Sequence, residues 1–168
     1  MVDQIRDPGN MGTLIRSAAA FGASCVLMTR MSVDPYNPKA VRAAMGAHFA
    51  VPIGAFDDMW RDAFVRGHIQ VVVATGDGHE APEDIDWCIP SVLVIGNEAK
   101  GVSDEIGAMA HLRVSIPMAN RIESLNAGMA GSVILAEAAR QRRLRGPSIR
   151  ESSQDKTDAT GTDTSAIC

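Results

Sequence analysis

The chain has 168 residues, 46% of them apolar and 21% charged, with a net charge of −4. That is enough for one domain with a real core, but too acidic to hold nucleic acid by bulk charge. Aromatic residues, at 4%, exclude a stacking platform for single-stranded nucleic acid, and no run approaches the roughly 18 uncharged apolar residues of a membrane span.

In chain order, MVDQIRDPGN carries no apolar signal region, so the expected location is cytoplasmic. Asp7-Pro8-Gly9-Asn10 reads as a turn and helix start, and residues 10–22 (NMGTLIRSAAAFG) as a helix stopped by Gly22. Gly12 and Arg16 share a helix face, and the glycine leaves space beside the guanidinium. With Leu14, Ile15, Ala18, Ala19 and Phe21 around it, Arg16 is a poor fit to a freely solvated charge. Residues 24–29 (SCVLMT) read as a buried strand and 38–45 as a short helix, followed by the apolar run 49-FAVPI-53. Residues 56–66 are amphipathic. The runs 69-IQVVVAT-75 and 91-SVLVIG-96 are buried strands, a short helix follows Ser103, and 112-LRVSI-116 is a last strand. The final helix runs from about Ser124 to Leu144 and stops at Gly146-Pro147.

Beyond it, residues 147–168 are rich in Ser, Thr and Asp. From Gly146 onward there are four acids (Glu151, Asp155, Asp158, Asp163) against two bases (Arg150, Lys156). This tail cannot bury enough apolar surface to order itself and is expected to be disordered. Cys25, Cys88 and Cys168 are far apart and odd in number, so they read as reduced thiols. The four histidines are scattered, and no metal is expected.

Short uninterrupted apolar strands separated by helices argue an α/β fold with a mostly parallel sheet flanked by helices. Ligands in such sheets bind beyond the carboxyl ends of the strands, which points to Gly76, Gly96 and Pro117 onward. The stretch 76-GDGHEA-81 fits G-x-G-x-x-A, with Glu98 about twenty residues on, as in a dinucleotide fingerprint. Pro82 and Pro90 leave little helix there for a pyrophosphate to cap, so a nicotinamide oxidoreductase is the poorer reading. The stretch 96-GNEAKG-101 lacks the Lys-Ser/Thr of a Walker loop. It reads either as a tight turn or as a ligand loop in which Asn97 and Glu98 project polar groups. In 116-IPMANRIESLN-126, Ser124 or Asn126 is able to cap the last helix and Glu123 favours its N-terminus. Capping leaves Asn120, Arg121 and the rigid Ile116-Pro117-Met118 approach unexplained.

Taken together, three ordered stretches resemble the SpoU-type branch of the knotted SPOUT methyltransferases. Asn10, Gly12, Arg16, Ala18, Phe21 and Gly22 fit the first motif, 92-VLVIGNEAKG-101 the second, and Ile116 to Asn126 the third. The stretch 32–53 also resembles the ribosomal-RNA members. Ala44 and Gly128 stand where serine is frequent in relatives.

The resemblance covers about residues 3–145 and implies a ribose 2′-O-methyltransferase using S-adenosylmethionine, ribosomal RNA being the more expected substrate than transfer RNA. It implies a deep C-terminal trefoil knot, which no pattern argument would propose, and a homodimer with each active site at the interface. It casts residues 1–146 as the catalytic domain, without the N-terminal RNA-binding domain that ribosomal members often carry. By position it assigns Thr75, Gly76, Gly96, Asn97, Gly101, Ile116, Met118 and Leu125 to the cofactor. Arg16, Asn10, Glu98, Ser124 and Asn126 fall to the chemistry, and Arg6, Arg42 and Arg121 to RNA. The non-catalytic alternative is an RNA-binding or ribosome-assembly protein of the same fold.

Overall fold

Strand β1 (Val26–Met28) pairs in parallel with β2 (Ile53–Ala55), and β3 (Gln70–Ala74) pairs in parallel with both β4 (Ser91–Ile95) and β5 (Leu112–Val114). The computed structural model describes residues 1–120 and 124–146; the predicted disordered tail, Arg121 and Glu123 lie outside them. Residues 1–3 join the two groups of strands. The Val2 N–H donates to Leu27 O at 2.8 Å and the Asp3 N–H to Ile95 O at 2.8 Å, and Val2 bridges both Met28 and Ile95 in parallel. The sheet therefore runs β2, β1, residues 1–3, β4, β3, β5, parallel throughout. The sequence reading starts its first element at residue 10 and misses this central segment, because three extended residues carry no periodicity to detect.

Helices cover both faces. The strands alternate their side chains: Val26 and Ile95 enter one core cluster with α1 (Pro8–Ala20) and α2 (Pro38–Ala44). Leu27, Val71, Val73 and Val94 enter another with Phe64 of α3 (Asp58–Arg66) and Ile106 of α4 (Asp104–Gly107). Val72 and Val114 meet Trp87 and the last helix, α5 (Ala127–Arg145). Burial on both faces is why these strands read as unbroken apolar runs.

Helix α1 begins two residues earlier than the pattern predicts. Asp7 is its N-cap, the carboxylate accepting from the Asn10 N–H at 2.8 Å, and Pro8 takes the first turn, where no N–H is needed. It ends as expected: Gly22 has φ +72°, its N–H donates to Ala19 O, and the Ala23 N–H donates to Ala18 O. Helix α5 starts three residues later than predicted, with Asn126 as its cap. Glycine sets how close the helices lie. A Cβ at Gly12 would strike the Ala40 carbonyl and Ala43 of α2, and one at Gly131 would strike Leu14 of α1. Ser17 and Ser132 complete the α1–α5 contact, their hydroxyls 2.6 Å apart. Ala44, fully buried, and Gly128, against Thr13, sit at these same contacts, where a serine would have to find room.

Candidate functional site

The carboxyl ends of β3, β4 and β5 open onto one pocket of about 300 Å³. Thr75 and Gly76 follow β3; Gly96, Asn97, Glu98 and Gly101 follow β4; Ser115, Ile116 and Met118 follow β5; Ser124 and Leu125 lead into α5. The apolar residues Ala74, Ile95, Val114, Ala127, Ala130 and Ile134 complete it. All eight residues assigned to a cofactor therefore line a single wall, together with Glu98 and Ser124.

The loop after β4 is a closed turn. The Asn97 N–H donates to Gly101 O and the Gly101 N–H returns to Asn97 O, both at 2.8 Å. A Cβ at Gly96 would fall 2.5 Å from the Gly101 carbonyl carbon, and Gly101 has φ +70°, so both positions require glycine. The Asn97 side chain does not project toward a ligand as the sequence suggests. Its oxygen accepts from the Ala99 and Lys100 N–H groups at 3.0 and 3.1 Å, and its amide donates to Gln4 O at 3.0 Å. Asn97 thus offers the pocket its backbone, while Glu98 is exposed and offers a carboxylate. The buried Asn10 amide donates to that carboxylate, tying the first turn of α1 to the pocket loop.

The remaining predicted residues are more scattered. Arg16 is exposed on α1 and is not among the residues lining the pocket. Asn126 is exposed and caps α5, its side-chain oxygen accepting from the Met129 N–H at 3.2 Å. Asn126 is thus the cap that the sequence allowed, and among the described residues of that motif Ser124 lines the pocket. Arg6 and Arg42 are both exposed, at the foot of α1 and on α2. On α5, Arg140, Arg142 and Arg145 bind within the chain, to Glu137, Trp87 O and Asp86.

The glycine stretch 76–81 is used for packing. A Cβ at Gly78 would lie 2.5 Å from the Val114 carbonyl carbon, and Ser115 Oγ donates to Gly78 O at 2.9 Å. Only the single turn Pro82–Asp84 follows, so no helix N-terminus faces a pyrophosphate there. The Thr75 hydroxyl donates to Asp77 at 2.5 Å and holds that carboxyl below its usual range. Sequence reasoning missed Ser115, Ala130 and Ile134. Ser115 hides inside the predicted strand, and the other two are ordinary helix residues whose direction only packing decides.

The profile of the SpoU rRNA methylase family matches residues 1–136. An uncharacterized tRNA/rRNA methyltransferase of Mycobacterium sp. (strain KMS) is 39% identical over 144 residues, covering 84% of this chain and 46% of that protein. The chain thus spans about half the length of the curated relatives it matches. The SpoU methyltransferase AviRb from Streptomyces viridochromogenes, solved with the cofactor AdoMet, superposes with a TM-score of 0.77 at 35% identity, over 86% of this chain and 60% of that one. A structure described as an RNA 2′-O ribose methyltransferase gives a TM-score of 0.75 at 29% identity, over 84% of this chain and 55% of that one.

Proposed function

The chain belongs to the SpoU rRNA methylase family, and on that premise we propose that residues 1–146 form a methyltransferase unit that methylates a ribose 2′-hydroxyl in RNA, ribosomal RNA before transfer RNA. The observation that carries this reading is the convergence of three strand-end loops on one pocket, with Gly76, Gly96 and Gly101 in its wall. S-adenosylmethionine, when bound, supplies an activated methyl on a positive sulfonium. Backbone groups of Ile116, Met118 and Leu125 hold the adenine. Gly76, Gly96 and Gly101 let the main chain approach, and Ala74, Ile95, Ala130 and Ile134 keep water from the sulfonium.

Arg16 acts as an electrostatic clamp on the target phosphate and on the alkoxide developing at the ribose oxygen. A guanidinium with a pKa above about 12 is a poor general base. Glu98, held by Asn10, and Ser124 orient the hydroxyl, and Asn126 fixes the mouth of α5. Arg6, Arg42 and Arg121 grip RNA locally, as an acidic chain requires. A second copy brings Arg16 to the pocket of its partner. Support for this lies in the exposure of Arg16 outside its own pocket and in the exposed apolar side chains of Met129 and Val133 on α5. The trefoil knot belongs to the same proposal. In its favour, the 75–81 loop hydrogen-bonds along residues 113–115, and Trp87, farther along the same connection, holds Gln141 and Arg142 of α5.

The test is transfer of tritiated methyl from S-adenosylmethionine to unmodified ribosomal and transfer RNA, with the labelled nucleotide then mapped. The expected label resists alkaline cleavage, as a 2′-O-methyl ribose does. Label on a base would overturn the ribose assignment. Specific RNA binding without any transfer, by folded protein, would favour the assembly-protein alternative.

A further inference from the structure

Asp3 is a carboxylate with 1% of its surface exposed, set between the central strands rather than in the pocket wall. Its Oδ1 accepts from the Thr29 hydroxyl at 2.8 Å and its Oδ2 from the Ser103 N–H at 2.6 Å. The next residue, Gln4, has φ +56°, a left-handed conformation that costs a side-chain-bearing residue energy. In that conformation the Gln4 N–H donates to Thr29 Oγ1 at 3.1 Å, and its carbonyl accepts from Asn97 Nδ2 at 3.0 Å. Two adjacent residues therefore hold both ends of the 97–103 segment, Asn97 at its start and Ser103 at its end, and anchor them to Thr29 just beyond β1.

We propose that Asp3, with Gln4 and Thr29, is a positioning group that presets the glycine loop of the pocket. The proposal rests on the reading of that pocket as the S-adenosylmethionine site. The segment 97–103 carries Glu98 and Gly101 into the pocket wall and has no regular structure of its own except its closed turn. A turn stabilises its own shape but does not set its place relative to β3 and β5. That placement comes from the clamp. A buried carboxylate suits it because two oxygens accept two donors at once, and charge strengthens both bonds. Asparagine in its place has one acceptor oxygen, so either Thr29 or Ser103 loses its present bond. A binding wall held by a supporting shell loses affinity when the shell loosens, even though no ligand contact is removed.

The experiment is titration calorimetry of S-adenosylmethionine with the full chain and with Asp3→Asn, Thr29→Val and Thr29→Ser, alongside thermal unfolding and RNA filter binding. Asp3→Asn should weaken S-adenosylmethionine binding by about tenfold or more, with RNA affinity unchanged. Thr29→Val should weaken it less, and Thr29→Ser, which keeps the hydroxyl, should restore parental affinity. A folded Asp3→Asn protein with a Kd within twofold of the parent overturns the proposal, whatever its melting temperature. If Asp3→Asn does not fold, Thr29→Val decides by the same criterion. A parent chain that fails to bind S-adenosylmethionine overturns the reading of the pocket instead.

Discussion

Asn10 and Arg16 stand on the same helix and meet different surroundings. Asn10, in the first turn, is buried and hydrogen-bonded to Glu98; Arg16, six residues on, is exposed and outside the pocket wall. The family motif marks both, but only packing separates a residue that fixes a loop from one left exposed. If Arg16 clamps the phosphate through the planar fork of its guanidinium, lysine cannot replace it. Arg16→Lys should then lower kcat for methyl transfer about 100-fold, with the Kd for S-adenosylmethionine unchanged by calorimetry. Near-parental turnover would remove Arg16 from the chemistry. Asn126 combines two readings. Its motif position suggests chemistry, and its side-chain oxygen also caps α5, a role that the bare sequence already allowed.

Among the elements, α5 combines a small-residue face with a charged outer turn. Gly128, Gly131 and Ala138 let it lie against α1 and the sheet, a contact that periodicity announces only as a helix of unusually small residues. Near its C-terminal end, the Arg140 guanidinium binds Glu137 through Nε and Nη2 at 2.7 and 2.8 Å, and this pulls the Glu137 carboxyl down from 4.5 to about 2. A carboxyl depressed in the folded state adds stability that is complete above its unfolded value and fades as pH falls through the folded one. Glu137→Gln should therefore lower the urea midpoint at pH 7, modestly because the pair lies at the surface. The gap from the parent should close as pH drops from 4.5 toward 2. Equal gaps at pH 7 and pH 2.5 would mean that the pair does not stabilise α5.

For the whole molecule, the pocket joins segments distant in the chain: the ends of β3, β4 and β5 and the start of α5. A ligand that bridges them should stabilise the folded state as a unit. S-adenosylmethionine at about 100 times its Kd should raise Tm by roughly 5–10 °C, and NADH at the same concentration should not. Equal shifts with both would argue against a specific site. By itself the sequence determined the parallel α/β class, the three strand-end loops and the glycines within them. Those features are local: buried strands must be apolar on both faces, and a closed turn or a close backbone approach must lack a Cβ. Only the tertiary structure decided that residues 1–3 complete the sheet, that Asn97 divides its side chain between its own turn and Gln4, and that Asp3 grips the loop a hundred residues away at Ser103. Such choices depend on which donor meets which acceptor across the fold, and residue type alone does not record the partner.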